Sequence, residues 1–255
     1  MKYGICLVSV APVRLSADDR SEMVTQLLFG EKIEILETHP KWWNIKLKYD
    51  AYEGWIDPKM ILEISSAFYH EEDNKLYTAD LFNLIQENHQ PIVLTLGAHL
   101  VNFSSGKLQV ADKIYQYDGD YVDATNNSLS LTQIALMYLN TPYLWGGKSN
   151  FGIDCSGFVQ QVFKLKNIFL PRDARQQAQY GEVLSFIDEA VAGDLAFFDN
   201  EEGNIIHVGI ILGEQKIIHA HGKVRIDPID STGIFNTDSQ QYSHKLRLIK
   251  SFDSD

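Results

Sequence analysis

The stretch that decides the fold reads Asp-Cys-Ser-Gly-Phe-Val at residues 154–159. It follows a turn rich in Pro, Tyr, Trp and Gly, and it opens an apolar pattern at three- and four-residue spacing that predicts a helix. Asp154 is a suitable N-cap, which places Cys155 in the first turn. There the helix dipole and the unpaired backbone N–H groups favour a thiolate, the reactive form of cysteine. We therefore expect Cys155 to be a nucleophile.

Two later segments each carry a histidine that could serve as its base. Residues 205–212 form an apolar strand that contains His207, and residues 215–221, after a Gly-Glu turn of hairpin length, contain His219. As a hairpin, the two strands would hold both histidines side by side on one face. A cysteine on a helix, with a histidine and a polar orienting group on an adjacent sheet, is the arrangement of a papain-type site.

The histidines also have other interpretations. A single histidine in an apolar strand is most often a core residue, and the presence of Cys155 favours a catalytic role for His207. His219 and His221 occupy alternate strand positions and, with an Asp or Glu, could hold zinc. No clear third ligand motif accompanies them, so we predict no metal and no cofactor.

The second half of the chain, from Thr141 to Ile226, resembles the NlpC-type cysteine peptidases, which cut bacterial cell-wall peptides. The matching segments, in order, are PYLWGG (142–147), DCSGFV (154–159), LPRDARQQ (170–177), GDLAFF (193–198), HVGIIL (207–212) and IHAHGKVRI (218–226). The resemblance implies Cys155 as the nucleophile, His207 as the base and His219 as the orienting third residue.

The resemblance also implies roles for residues around the nucleophile. Tyr143 would hold the oxyanion together with the backbone N–H of Cys155, because acyl transfer places negative charge on the carbonyl oxygen. Its structural alternative is packing within an aromatic turn. Asp154 and Ser156 would belong to the subsite for the D-glutamate portion of the substrate, in addition to capping the helix.

Arg172 is expected near the site, where it would pair with a substrate carboxylate or form an ion pair with Asp154 or Asp173. The chain departs from the family two positions later, because Ala174 occupies a place that often carries a hydroxyl residue. Gln177 keeps the glutamine that usually follows.

The first half of the chain reads as short strands separated by turns, which predicts small all-β domains. In residues 3–64 the strand candidates are Tyr3–Val10, Glu31–Glu37, Trp42–Lys48 and Glu53–Ile56, with a 3₁₀ turn at 57–60. This segment resembles bacterial SH3-like domains. In residues 65–125 the candidates are Ile92–Leu96, Lys107–Val110, Asp112–Tyr117 and, as strand or helix, Leu81–Gln86.

The second of these segments resembles a degenerate SH3-like barrel in its size and position. We therefore predict an α+β protein with SH3-like barrels at 1–64 and 65–125 and a papain-like peptidase domain at 126–255. The barrels could anchor the enzyme to the wall or close one end of the substrate groove. The second arrangement is that of the γ-D-glutamyl-L-diamino acid endopeptidases, the dipeptidyl-peptidase VI group. It needs an acidic and an aromatic residue for the amine of an N-terminal L-alanine, and Glu22 and Tyr52 are the candidates, with ordinary loop residues as the alternative.

The amino-acid composition limits the classes of molecule that the protein is expected to bind. A formal net charge of −12 over 255 residues argues against nucleic acid and anionic membranes, and it favours a small soluble substrate. Of the two cysteines, Cys6 lies in an apolar strand and is predicted to be a buried hydrophobe. No signal peptide is recognisable, so a cytoplasmic location is expected, with a periplasmic or extracellular one if a leader has been removed.

The preferred hypothesis is a cysteine peptidase that cuts the γ-D-glutamyl-L-diamino acid bond in murein peptides with a free N-terminal L-alanine. The alternatives are a broader wall hydrolase targeted by its barrels, a non-catalytic wall-binding protein, and an acyltransferase or amidase on the same scaffold. The choice between lysine and diaminopimelate, and the oligomeric state, are left open.

Overall fold

The helix predicted from residues 154–159 is present in a computed structural model of the chain, which describes residues 1–87 and 90–252. The chain divides into two compact units. One comprises Met1–Asn127 with Trp145–Phe151, and the other comprises Ser128–Leu144 with Gly152–Asp255. The segment Trp145–Phe151 was predicted to be part of the peptidase domain, and it groups with the first unit. The three-domain division stays a prediction. In the described part of the chain, no helix is long and apolar enough to cross a membrane.

The first unit begins with a seven-stranded antiparallel sheet in the order β3-β2-β6-β5-β4-β1-β7. Its strands are β1 (Lys2–Cys6), β2 (Val10–Arg14), β3 (Met23–Leu28), β4 (Lys32–Thr38), β5 (Trp43–Leu47), β6 (Glu53–Ile56) and β7 (Ile61–Ile64). The predicted strand Tyr3–Val10 is thus split, because the chain turns between β1 and β2. A 3₁₀ turn at Pro58–Met60, capped by the Asp57 carboxylate, lies where it was predicted.

The remainder of the first unit contains a four-stranded sheet in the order β10-β9-β12-β11 and a two-stranded pair, β13-β8. Its elements are α1 (Ser66–His70), β8 (Leu76–Thr78), β9 (Phe82–Glu87), β10 (Gln90–Thr95), β11 (Lys107–Val110), β12 (Lys113–Gln116), β13 (Tyr121–Asp123), a 3₁₀ turn at Ala124–Asn126, and β14 (Lys148–Ser149). The segment that was open between strand and helix is the strand β9. Ile5 and Phe29 share one buried cluster with Leu94, Leu108 and Tyr115, so the two larger sheets have a common core.

The segment Trp145–Phe151 is fixed in the first unit by polar contacts. The Lys148 backbone N–H donates to Gln26 Oε1 at 2.7 Å, and the fully buried Lys148 Nζ lies 3.4 Å from Glu31 Oε2. The indole N–H of Trp145 donates to Glu22 Oε1 at 2.6 Å. Buried charges are stable only when they are paired, so the Lys148–Glu31 pair restricts where this segment can lie.

The second unit is a helix packed on an antiparallel sheet, as predicted. The elements are α2 (Leu131–Met137), β15 (Gly152–Ile153), α3 (Cys155–Lys164), α4 (Ala174–Gln177), β16 (Glu182–Leu184), a 3₁₀ turn at Ile187–Glu189, β17 (Leu195–Asp199), β18 (Ile205–Gly213), β19 (Lys216–His221), β20 (Lys223–Pro228), β21 (Gly233–Asn236) and β22 (Gln241–Ser251). The sheet order is β16-β22-β17-β18-β19-β20, with β21 paired to β22. Helix α3 packs against β18 and β19, the two strands that carry His207 and His219.

The N-terminus of α3 is held by a buried ion pair. Asp154 caps the helix by accepting a hydrogen bond from the Gly157 N–H at 2.7 Å. The Arg172 guanidinium binds both oxygens of the same carboxylate, at 3.0 and 2.6 Å, and donates to Ser156 Oγ at 2.9 Å. Among the partners predicted for Arg172, the structure shows the ion pair with Asp154, and pairing with a substrate carboxylate stays a prediction. Removing one partner of such a pair leaves an uncompensated charge in the interior.

We expect Arg172→Met to lower the free energy of unfolding by about 3–5 kcal/mol, because it deprives the buried Asp154 of its guanidinium partner. Urea denaturation measures this difference. The matched control is Arg175→Met in the first turn of α4, where the side chain is exposed and the expected change is below about 0.5 kcal/mol. Equal losses in the two variants would show that the ion pair does not hold the helix terminus.

Candidate active site

Cys155 is the first residue of α3 and is only 6% exposed. Burial, and after it the neighbouring Asp154 charge, raises the pKa of its thiol to about 12. A backbone hydrogen bond from Val208 and the Arg172 charge act in the opposite direction but do not outweigh burial. Burial of the thiol therefore opposes the stabilisation of a thiolate by the helix terminus, and the thiolate at this position stays a prediction. In its thiol form, Cys155 requires a base.

His207 and His219 lie together, as their hairpin predicted. The Nε2 atom of His207 is 2.9 Å from Nδ1 of His219, and both rings are buried. In the β18–β19 register, His219 is opposite Gly209, where a side chain would collide, since a Cβ there would approach His219 Cβ to 2.9 Å. The hydrogen bond from Val208 to the Cys155 thiol places the nucleophile beside the strand residue that follows His207.

His207 and His219 both favour the neutral form of the imidazole. Burial lowers the pKa of His207 well below its ordinary value, and the positive charges that His244, His219 and His221 can carry lower it further. Burial also lowers the pKa of His219, although the neighbouring Asp227 carboxylate partly offsets this effect. A neutral imidazole beside a neutral thiol is a resting pair in which the base can accept the thiol proton.

Asp227 is a member of this site that the sequence analysis missed. Its carboxylate oxygen Oδ2 is 3.1 Å from His219 Nε2, and its side chain is fully buried. Arg225, directly opposite His219 in the β19–β20 register, donates to both oxygens of Asp227 at 2.6 and 2.9 Å. The available signal was the alternation of Arg225 and Asp227, which puts both on one face of the strand after His219.

Tyr143 lies in the same unit, half-buried, with its backbone N–H bonded to the Gly222 carbonyl at 3.0 Å. Burial, and after it the charge that Cys155 can carry, raises the pKa of its phenol to about 12. The phenol is therefore a hydrogen-bond donor within the electrostatic reach of the nucleophile. Ala174, at the departure from the family pattern, is buried at the start of α4, and Gln177 donates to the carbonyls of Ser156 and Pro171.

A second residue that the sequence analysis missed is His244 on β22. Its ring stacks on that of His207, with centroids 4.0 Å apart and an interplanar angle of 21°. Burial lowers the pKa of His244 to about 3, so it is neutral. Its distance in sequence from the six family segments gave no reason to select it.

The predicted zinc alternative rested on His219 and His221, but the structure groups different residues. Among the described residues, one set could hold a metal, with ring nitrogens of His207, His219 and His244 within 4.8 Å of one another. Zinc in a tetrahedral site keeps its nitrogen ligands about 3.4 Å apart, given Zn–N distances of about 2.0–2.1 Å. The stacked rings of His207 and His244 cannot aim in-plane lone pairs at one ion without rotation, and a hydrogen bond already joins His207 to His219.

Glu22 and Tyr52 belong to the first unit. The exposed Glu22 carboxylate accepts the indole hydrogen bond of Trp145. Tyr52 is half-buried, and its backbone carbonyl accepts from the Leu47 N–H at 2.9 Å. Their roles in binding an amine stay a prediction, as do the substrate-binding roles of Asp154, Ser156 and Arg172.

Known proteins with similar sequences and folds cover most of the chain. A model of the NlpC/P60 family matches residues 140–242, and a model of the bacterial dipeptidyl-peptidase SH3 domain matches residues 13–61. A γ-D-glutamyl-L-lysine dipeptidyl-peptidase of Bacillus subtilis (strain 168) is 31% identical over 213 residues, which are 77% of this chain and 71% of the relative. A protein of the same name from Bacillus cereus is 25% identical over 250 residues, which are 86% of this chain and 74% of the relative.

A solved structure with a similar fold is also described as an NlpC/P60 family protein. The crystal structure of an NlpC/P60 family protein from Bacillus cereus aligns with 98% of this chain and 99% of its own, with a TM-score of 0.80 and 19% identity. That likeness confirms the predicted papain-like fold with an SH3-like N-terminal region. Together with the Bacillus subtilis relative and the matching family model, it leads to one assignment: the chain belongs to the NlpC/P60 family.

Proposed function

We propose that this protein hydrolyses the bond between γ-D-glutamate and an L-diamino acid in murein peptides that begin with a free L-alanine, as a step in peptide recycling. The coarser statement follows from the family: the chain is a cysteine-type peptidase that acts on peptidoglycan peptides. The observation that carries the proposal is the buried hydrogen bond between His207 and His219, in the same unit as Cys155. The names of the two Bacillus relatives support the particular bond.

In the proposed mechanism, His207 takes the proton of the Cys155 thiol, and the sulfur attacks the γ-carbonyl carbon of the D-glutamyl residue. The tetrahedral intermediate collapses to a thioester as the His207 imidazolium gives its proton to the leaving amine. Water then attacks the thioester, with His207 as the base, and releases the dipeptide. Because burial raises the pKa of Cys155 and lowers that of His207, both groups favour their neutral forms, and charge separation develops as the reaction begins.

The oxyanion would be stabilised by the backbone N–H of Cys155 and the phenol of Tyr143. The raised pKa of Tyr143 keeps its proton in place, so it can donate to the developing negative charge. A fixed donor in a site with little water stabilises this charge without reorganisation.

Substrate selectivity is the most direct test. L-Ala-γ-D-Glu-L-Lys and the same peptide with an acetylated amine are incubated with the protein, and the products are identified by mass spectrometry. We expect L-Ala-D-Glu and lysine from the free peptide alone. Equal cleavage of both peptides would contradict the requirement for a free amine and would favour a broader wall hydrolase.

The nucleophile is tested in the same assay. Cys155→Ala should reduce turnover by at least about 10⁴-fold while leaving the melting temperature close to that of the parent, because one sulfur atom is removed from a packed site. The matched control is Cys6→Ala, at a buried free cysteine in the first unit, which should keep its kcat. Residual activity near the parent level in Cys155→Ala would exclude the mechanism.

The predicted amine partner is tested with Glu22→Gln. This change keeps an oxygen that can accept the Trp145 indole bond but removes the charge that would pair with an ammonium group. We expect KM for the free peptide to rise about 10-fold with kcat nearly unchanged, from a loss of about 1.4 kcal/mol. The control is Asp19→Asn, an exposed acid near Glu22 in sequence. Unchanged KM in Glu22→Gln would remove Glu22 from the substrate site.

The oxyanion donor is tested with Tyr143→Phe, which deletes only the hydroxyl group. We expect kcat to fall about 10²-fold with little change in KM, because the lost interaction forms with the transition state. Tyr180→Phe, at a partly exposed tyrosine of the same unit, is the control. A kcat within about two-fold of the parent in Tyr143→Phe would assign Tyr143 to packing.

A further inference from the structure

A line of hydrogen-bonded polar groups begins at His207 and continues through His219 and Asp227 to Arg225. His207 contacts His219 at 2.9 Å, and His219 contacts Asp227 at 3.1 Å through its other ring nitrogen. Arg225 closes the line with two hydrogen bonds to Asp227 and a third, at 2.6 Å, to Asp238 Oδ2. All of these groups except Asp238 are on the consecutive strands β18, β19 and β20.

Asp227 is the group with a fixed hydrogen-bonding role that contacts His219 directly. Burial raises its pKa, but hydrogen bonds from His219, Arg225 and the Thr237 backbone outweigh this effect and hold the pKa well below its usual range. Thr237 donates to Oδ1 through both its N–H, at 3.2 Å, and its hydroxyl, at 3.1 Å. An ionised carboxylate accepts hydrogen bonds and donates none.

The acceptor role of Asp227 determines the proton positions on both rings. Because Asp227 can only accept, the proton of neutral His219 must be on Nε2, and its Nδ1 then carries a lone pair. Because that lone pair faces His207, the proton of neutral His207 must be on its Nε2. The remaining nitrogen of His207, Nδ1, is thereby left as the proton acceptor.

We propose that Asp227 is a positioning residue that sets the tautomers of His219 and His207, so that His207 Nδ1 is the atom that receives the thiol proton of Cys155. The tautomer assignment rests on the two hydrogen bonds of His219, on an ionised Asp227 and on neutral rings for both histidines, and its catalytic consequence rests on the proposed function. As His207 becomes an imidazolium, its Nε2–H donates to a His219 ring already polarised by the carboxylate. Asp227 stays ionised throughout and takes no proton.

The rival explanation is that Asp227 only joins Arg225 and Thr237 in closing the end of the sheet. The two explanations differ for Asp227→Asn, which keeps the size and shape of the side chain. An amide can present its NH₂ to His219, which reverses the tautomers of both rings and leaves His207 Nδ1 protonated. A purely structural role would appear as lost stability with kcat preserved in the folded fraction.

We expect Asp227→Asn to lower kcat by about 10²–10⁴-fold with KM little changed, a range set by the cost of a wrong histidine tautomer in serine peptidases and of lost outer hydrogen-bond partners. The control is Asp238→Asn, an exposed residue that contacts Arg225 through Nη1, whereas Asp227 is bound by Nε and Nη2. It should keep kcat within about two-fold. Equal kcat values in the two variants would overturn the proposal.

A second measurement does not depend on turnover or on the stability of the Asp227 variant. In Cys155→Ala protein labelled with ¹⁵N-histidine, ring nitrogen shifts report the tautomers directly, with assignments from His207→Gln and His219→Gln. We expect both rings to carry their proton on Nε2. An Nδ1–H tautomer on either ring would refute the assignment. If both tautomers are as expected but the parent enzyme cuts no murein peptide, the proposed function fails and the role of Asp227 in setting the tautomers stands.

Discussion

A bidentate ion pair between Asp154 and Arg172, almost entirely shielded from water, fixes the end of the helix that carries the nucleophile. The same carboxylate caps the helix, and the same guanidinium binds the hydroxyl of Ser156, so one contact holds the residues on both sides of Cys155. The pair also acts on the thiol electrostatically, because Asp154 raises the pKa of Cys155 and Arg172 lowers it. Mechanical support and electrostatic balance of the nucleophile therefore come from one interaction.

Burial around that helix end gives the site its neutral resting state. In water, a cysteine at a helix N-terminus would be expected to ionise more easily than a free thiol. Here desolvation raises the pKa of Cys155 and lowers that of His207, so both groups shift toward their uncharged forms. A site that favours the neutral thiol of Cys155 over the thiolate protects the sulfur from adventitious oxidation, since the thiolate is the reactive form. It also makes the orientation of the imidazole decisive, because proton transfer must accompany attack.

Local features of the sequence were sufficient for much of this arrangement. Apolar spacing predicted α3, and a polar residue before it predicted the cap at Asp154. The hairpin with His207 and His219 was also predicted, although its two turn residues are Glu214 and Gln215 rather than Gly213 and Glu214. Each depends on neighbours within a few positions, where spacing and turn chemistry act directly.

Longer-range features were not predictable in the same way. The choice of Asp154 as the partner of Arg172, the stacking of His244 on His207 and the grouping of Trp145–Phe151 with the first unit depend on how distant segments meet. The upward shift in the pKa of Cys155 was not predictable for a related reason, because the degree of burial is a property of the whole unit. Asp227 was predictable in part. Strand alternation places it on the same face as Arg225, but its contact with His219 depends on the register between β19 and β20.

The histidine pair restricts which residue can occupy position 209. Gly209 lies opposite His219, where even a methyl group would press on the histidine and on Ile217. Its backbone angle is ordinary for a strand, so glycine is required there for empty space rather than for flexibility. Any related sequence that keeps both histidines in this register must also keep glycine at position 209. The identity of this residue on β18 is therefore determined by an imidazole on the neighbouring strand β19.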